Sequence, residues 1–408
     1  MKGEVWGLMG LREISLLITA TSFLFLLLPS YGVEGEMATL SREEDLELDI
    51  QLKLLNKPAM KSIQTVHGEI FDCVHINKQP AFDHPLLKNH TIQMRPSLFP
   101  KGMIHGASLS RVRHPQIKLH SGGCPRGTVP IKRTTKEDLI RARMISMKTS
   151  TSSSQLHSLN YPGYHRAGIT TTGDNVYYGA KAHIIVYNPP VSGLQYSQAL
   201  MWIYNDAPNH DNCIQVGWMV DPLIFGDKAT RMYARWTVQG SGCWNTFCPG
   251  FVQVNPVTPV GSIIDPVSTY NGSQYEIIPI VFQDRLTGNW WLSYNARNIV
   301  GYWPKALFNS LDSFATGIAW GGSTYKPMNE PNSPPMGSGH FPDEGFGRAS
   351  FMGGIQVVDE NGSFVALNES IIANYTDKTN CYKVGLNSMD QFGSYSFYYG
   401  GPGGYCGY

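Results

Sequence analysis

Apolar and polar positions alternate in short bursts along residues 161 to 408, and each burst reads as a strand. The stretch "CIQVGWMVDPLIFGD", residues 213 to 227, shows the pattern. Gln215, Gly217 and Met219 take one face, while Val216, Trp218 and Val220 take the other. Similar aromatic-rich bursts are "YYGAKAHIIVYNP", "SQALMWIYN", "TRMYARWTV", "PGFVQVNP", "SQYEIIPIVFQD", "NWWLSYNA", "GIAWGGSTY", "ASFMGGIQVVD" and "CYKVGLNS…GSYSFYYGGP". Turn signals such as "TGDN", "QGSG", "LTGN" and "DENG" separate many of them. Many short strands at this spacing predict a mainly β domain, an antiparallel sandwich or jelly roll. "WPKALFNSLDSFA", residues 303 to 315, is its one helical candidate.

The first part of the chain is mixed. "ISLLITATSFLFLLL" runs uncharged from Ile14 to Leu28, short for a membrane span and the right length for a signal-peptide core. Residues 1–35 are therefore read as a signal peptide. Residues 36–57 predict a helix, with Ser41 as N-cap and Leu46, Ile50 and Leu54 at four-residue spacing. "LELDIQL" also alternates as a strand would, but good helix formers follow a cap here. A hairpin around His67-Gly68, a loop over 101–123, a short strand and a helix starting at Thr135 follow. The Ser/Thr-rich run 144–160 has no apolar period and reads as a linker open to proteolysis. The expected organisation is a pro-domain over 36–143, a linker over 144–160 and a β domain over 161–408.

Composition narrows the class. Charged residues are only 15% and aromatics 12%, with 42 Gly and 26 Pro, which suits a turn-rich β protein. A net charge of +1 gives no electrostatic case for nucleic acid or an anionic membrane as partner. Seven cysteines suit an oxidising compartment, and five N-x-S/T sequons, at Asn89, Asn271, Asn361, Asn368 and Asn374, suit the secretory route. A secreted, extracellular, glycosylated protein is expected, with no membrane association after signal cleavage.

Four blocks resemble the neprosin family of secreted plant proteins. "DCVHINKQPAFDHPLLKNH" and "CPRGTVPIKRTTKEDLIRA" are similar to its activation-peptide domain. "IQVGWMVDPLIFGD…GCWNTFCPGFVQ" and "TGNWWL…GYWPKALF…AWGG…PPMGSGHFP" are similar to its peptidase domain. The resemblance implies a zymogen with a two-sheet antiparallel β-sandwich and a pro-domain bound in cis. It implies a glutamic endopeptidase active at acid pH on proline-containing peptides, with two glutamates in a groove across one sheet. Two carboxyls close together cannot both ionise readily, so one would keep its proton and act as the acid. The first glutamate position falls on Gln215 and the second on Ser323, where active members carry "WGGE". Fungal glutamic peptidases pair a Gln with a Glu, so Gln215 fits an amide that donates to the oxyanion. Ser323 has no proton affinity useful at acid or neutral pH. If the register is wrong, the site moves to the turn at Leu223, which again offers no carboxylate.

Substitute acids read as structural. Glu276 lies on a strand and is expected to face solvent, Glu344 to serve a turn, and Asp227 to close one. Ser338 and His340 in "MGSGH" lack the spacing and the α/β setting of a nucleophile elbow. The histidines His165, His183, His210 and His340 lack paired metal-ligand spacing, so neither a metal nor a cofactor is expected. By the family resemblance Cys243 pairs with Cys248 and Cys381 with Cys406. Cys73 is expected to pair with Cys124 within the activation segment, and Cys213 reads as a buried, inert thiol. Most of Trp202, Trp218, Trp236, Trp290, Trp291, Trp303 and Trp320 read as core, with Trp218 and Trp320 facing away from Gln215 and Ser323. Two functions remain open: a weak or altered peptidase using Gln215 with another carboxylate, and a non-catalytic apoplast or cell-wall protein that binds peptides or glycans.

Overall fold

The computed structural model describes residues 42–103, 112–119, 122–149, 162–205, 212–389 and 394–407. The signal-peptide reading, Ser41 and the stretch 150–161 lie outside them. Among the described residues no helix is long and apolar enough to cross a membrane. Two units divide the chain, Met1–Ile50 and Gln51–Tyr408. The described part of the first belongs to helix α1, Arg42–Leu55, which carries Glu43, Glu44 and Asp45 in its first turn, where the helix dipole favours them.

In the second unit, the hairpin expected at His67-Gly68 joins β1 (Ala59–Gln64) to β2 (Ile70–His75), and β3 (Thr128–Lys132) completes a small antiparallel sheet. Cys73–Cys124 ties this sheet to the loop before β3. Helix α2, Lys136–Thr149, follows Thr135, whose backbone N–H and side chain exchange hydrogen bonds with Asp138. The expected linker over 144–160 is thus helical as far as Thr149.

Two antiparallel sheets form the sandwich. The seven-stranded sheet contains β4 (Tyr164–Thr171), β6 (Tyr196–Asn205), β7 (Asn212–Val220), β8 (Arg231–Val238), β9 (Ser241–Trp244), β15 (Gly317–Tyr325) and β18 (Ile372–Thr376), in the order β18-β4-β15-β6-β7-β8-β9. Its one-turn helix α3, Pro222–Phe225, is capped by Asp221. The ten-stranded sheet contains β5 (Gly179–Ile185), β10 (Val252–Gln253), β11 (Glu276–Ile277), β12 (Pro279–Gln283), β13 (Trp290–Tyr294), β14 (Ile299–Trp303), β16 (Ser350–Val358), β17 (Phe364–Ala366), β19 (Lys383–Met389) and β20 (Tyr395–Gly400). The mainly β, two-sheet architecture agrees with the alternation in the sequence. Strands β4, β9, β14, β17 and β18 are the elements that pattern does not single out.

The inner faces meet in one core. Ile214, Val216, Trp218 and Trp320 of one sheet pack with Ile184, Val281, Trp290 and Leu292 of the other. Trp218 is fully buried and donates its indole N–H to the Ile185 carbonyl across the sandwich at 2.8 Å, so its polar atom is satisfied where its ring is dry. Truncating such a side chain costs about 3–5 kcal/mol. Trp218 and Trp320 face inward, away from Gln215 and Ser323, as alternation requires. The expected disulfides Cys243–Cys248 and Cys381–Cys406 are formed, and Cys213 is a buried free thiol.

The helix expected over 303–315 is not there. Only Lys305–Leu307 makes a 3-10 turn. Beyond it, the buried Asn212 carboxamide accepts from the backbone N–H groups of Asn309 (2.9 Å), Ser310 (3.1 Å) and Leu311 (3.4 Å). Asn205 donates to the Phe314 carbonyl at 2.9 Å, and Trp290 donates to that of Leu311 at 2.6 Å. Side chains from the sheets take the backbone groups that a helix would have paired internally.

The N-terminal segment lies along the outer face of the ten-stranded sheet. Ala81 and Met103 pack with Val252, Ile280, Phe282, Trp291 and Tyr302. Gln79 and the Gln253 backbone exchange two hydrogen bonds, at 2.8 and 3.1 Å. Asp284 accepts from Gln93 (2.6 Å) and from the Ser97 N–H (2.8 Å), while Tyr302 contacts His90 (2.7 Å) and the Gln93 N–H (3.0 Å). Arg231, with no solvent exposure, pairs with both Glu69 of this segment and Asp227 of its own turn.

Candidate functional site

Gln215 sits at the centre of β7, and Ser323 lies near the end of β15. Register places Trp202 of β6 and Arg235 of β8 directly beside Gln215. Gln198 of β6 and Arg166 of β4 stand directly beside Ser323. Trp202 is in turn opposite Ala319 of β15, four positions from Ser323. The two positions share the outer face but lie two strands and four residues apart, about 16 Å on the diagonal at ordinary strand spacings. The resemblance implies a close pair of carboxyls at these positions; by register Gln215 and Ser323 are not direct neighbours.

Between the two rows runs a row almost without side chains: Gly168, Gly321, Leu200 and Gly217, ending at Tyr233. A Cβ on Gly217 would stand 1.9 Å from the Ala199 carbonyl oxygen, so the strands approach here only because the residue is glycine. Hydroxyls flank this trough. Tyr233 donates to the Gln215 carboxamide oxygen and Tyr375 to the Trp320 carbonyl at 3.5 Å, while Tyr196 stands diagonal to Ser323 in register. Gln215 and Ser323 are only 4% and 5% exposed, and Phe225 and Ile224 of α3 join Leu200, Trp202 and Met219 in the apolar cluster of this face.

Burial decides the protonation of these groups. Loss of solvent pushes the Tyr233 and Tyr196 phenols well above their ordinary value and lifts Tyr375 to about 12. At acid or neutral pH each is a neutral hydroxyl. Two guanidiniums complete the face: Arg166 lies 4.7 Å from the Trp202 ring centroid, and Arg235 lies 4.4 Å from that of Trp244. Among the described strand residues in register on this face there is no Asp or Glu.

The other candidate acids are placed as follows. Glu276 does not face solvent: it is fully buried under the N-terminal segment, with His183 Nδ1 3.1 Å from one carboxylate oxygen. It lies on the ten-stranded sheet, not on the face that carries Gln215. Glu344 bonds His340 at 2.8 Å and Tyr270 at 2.9 Å, and His340 stacks on Tyr270. Ser338 meets the His340 backbone N–H rather than its ring. Asp227 caps Ala229 and pairs with Arg231. Cys213, two positions from Gln215 on the same face, contacts Thr237 Oγ1 at 2.9 Å and Gln215 Nε2 at 3.8 Å. Among the described residues no group of three or more His, Cys, Asp or Glu is arranged to hold a metal. All five sequon asparagines are exposed.

Tyr233, Arg235 and Arg166 are the residues of this face that sequence reasoning passes over. Alternation in "RMYARWTV" puts Tyr233 and Arg235 on one side of β8, but which side faces Gln215 depends on pairing register, which a single strand does not encode.

Comparison with known proteins agrees with the blocks quoted above. Residues 193–402 match the family model Neprosin, and residues 62–173 match the model Neprosin activation peptide. Among solved structures, Scytalido-glutamic peptidase with a peptide-based transition state analog is 10% identical, covering 58% of this chain and 97% of that one, with a TM-score of 0.30. A β-porphyranase from the human gut bacterium Bacteroides plebeius is 9% identical, covering 39% of this chain and 56% of that one, with a TM-score of 0.21. The matched order, activation peptide and then Neprosin domain, covers most of the described residues, and the chain belongs to the neprosin family.

Proposed function

We propose that this chain is a secreted, glycosylated member of its family that holds extended peptides against the outer face of the seven-stranded sheet without hydrolysing them. The N-terminal segment acts as its activation peptide in cis. One observation carries the reading. Where the family resemblance assigns two glutamates, the chain has the Gln215 amide, bonded to Tyr233, and the buried Ser323 hydroxyl. Hydrolysis without a nucleophilic side chain needs a base to take a proton from water. Amide, hydroxyl, phenol and guanidinium all fail as bases at acid or neutral pH, and among the described strand residues in register on this face these, with the buried Cys213 thiol, are the polar groups.

What remains suits binding. A row rich in glycine lets a peptide backbone approach, and the hydroxyls and the amide offer hydrogen bonds. The test uses the full chain, intact and after proteolytic nicking within 150–160, with proline-containing peptides between pH 3 and 7. Saturable binding without turnover is expected. Turnover that disappears in Gln215→Ala would overturn the reading in favour of a weak peptidase.

A further inference from the structure

Resting on that peptide-holding reading, we infer that the outer face of the seven-stranded sheet selects peptides bearing an acidic side chain, with the carboxylate held by Arg235 and the Gln215 amide. Gln215 and Arg235 are direct cross-strand partners, so their Cβ atoms stand about 5 Å apart. A glutamate at 215 would meet that guanidinium and neutralise it. Glutamine leaves the charge uncompensated: among the described residues no carboxylate lies within ion-pair distance of Arg235, and its buried Nε has no hydrogen-bond partner.

The site around this charge is built rather than incidental. The Arg235 guanidinium carbon lies over the Trp244 ring, 4.4 Å from its centroid, a contact that uses the face of the guanidinium or its edge and leaves other N–H groups for a planar acceptor. A carboxylate is the acceptor that fits this fork in a bidentate way. The Gln215 Nε2 adds a donor beside it, since its contact with Cys213 Sγ is long at 3.8 Å. On the other side of Gln215, Trp202 carries the Arg166 guanidinium over its ring. Burial of the surrounding residues lowers the local dielectric and strengthens attraction for an anion. An extended peptide is favoured over an acidic glycan because the row Gly168, Gly321, Leu200 and Gly217, with one side chain in four, suits a close-lying backbone.

Titration calorimetry on the full chain, intact and nicked within 150–160, tests this with three probes: a proline-containing peptide with one glutamate, the same peptide with glutamine, and an oligogalacturonate. The glutamate peptide is expected to bind about tenfold more tightly than its amide twin, or 1.4 kcal/mol. Arg235→Gln should erase the preference, Arg235→Lys should keep part of it, and Gln215→Glu should erase it by supplying an internal carboxylate. Equal affinity for the two peptides would overturn the acidic selectivity while leaving peptide holding intact. Binding of neither peptide would sink both readings. Binding of the oligogalacturonate alone would overturn the choice of occupant.

Discussion

The Tyr233 phenol donates to the Gln215 carboxamide oxygen across a diagonal of adjacent strands, and this bond fixes which way the amide points. With the oxygen taken by Tyr233 on the Gly217 side, the NH2 group turns toward Cys213. The chain has thus kept a hydrogen-bonding centre where its resemblance implies a carboxylate, and has oriented it as a donor. A donor can hold a carbonyl or a carboxylate, but it cannot strip a proton from water.

That orientation has an energetic signature. Tyr233→Phe leaves the buried Gln215 oxygen without its partner and should cost about 1–3 kcal/mol in denaturant unfolding. In a double-mutant cycle with Gln215→Leu, the pair should lose less than the sum of the single variants, because the second substitution removes the stranded acceptor. Additive losses would show that the bond does not form.

Asp221 makes a second, pH-dependent prediction. Burial lifts its carboxyl to about 6 from 3.8, although its oxygen caps Leu223 and Ile224. The folded chain therefore keeps a proton that the unfolded chain gives up over this interval. Stability from this group is present below about pH 4 and is lost as pH rises through about 6. The gap corresponds to about 3 kcal/mol. Asp221→Asn keeps the capping oxygen and cannot ionise, so its unfolding free energy should lack this fall between pH 4 and 6. An identical slope in the variant would remove Asp221 as its source.

What was legible in the sequence, and what was not, follows from what period and motif encode. Alternation in "CIQVGWMV" separates Gln215 from Trp218 because a strand has period two. The hairpin turn at His67-Gly68 is local and readable, whereas the pairs Cys243–Cys248 and Cys381–Cys406 come from the family resemblance. Alternation cannot say what covers a face. Glu276 looks like a surface charge in "QYEIIPI", yet Arg113 pairs along the same backbone through hydrogen bonds to Gln274 and from Glu276, and the neighbouring segment buries it. The separation of Gln215 from Ser323 was equally hidden, because it depends on how β6 aligns with both neighbours. Non-local pairing is the information a single sequence carries least openly.

The hold of the N-terminal segment on the sandwich should weaken in acid at Asp284. Burial opposes ionisation of this carboxyl, but hydrogen bonds from the Ser97 N–H, Gln93 and the Leu286 N–H outweigh it and keep its value below 3.8. Its contribution is therefore present above that ordinary value and is lost as pH falls through the lower folded one. Asp284→Asn should speed hydrogen exchange at the Ser97 amide about fivefold near pH 6, the loss of a charge-assisted bond at a partly exposed site. The wild-type and variant rates, each corrected for intrinsic exchange, should converge only as pH falls below the lowered folded value. Unchanged protection of Ser97 in the variant would show that Asp284 does not anchor the segment.

Asn212 should prove more costly to alter than its loop-edge position suggests. Its side chain is fully buried, accepts from three successive backbone N–H groups at 309–311 and donates to Asn309 Oδ1 at 2.6 Å. It therefore replaces the internal hydrogen bonds that the 303–315 stretch would have made as a helix. Asn212→Ala strands those amides in a site with no room for bulk solvent, at about 1–3 kcal/mol. Asn212→Asp keeps the accepting oxygen but loses the donor to Asn309 and buries a charge, so it should recover only part of the loss. Melting measured beside far-UV and near-UV circular dichroism distinguishes the outcomes: local loosening around Trp290, which bonds Leu311, should change the aromatic signal while strand content persists. If Asn212→Ala instead raised helical content, the sheet-borne carboxamide would be confirmed as the group that holds this stretch out of a helix.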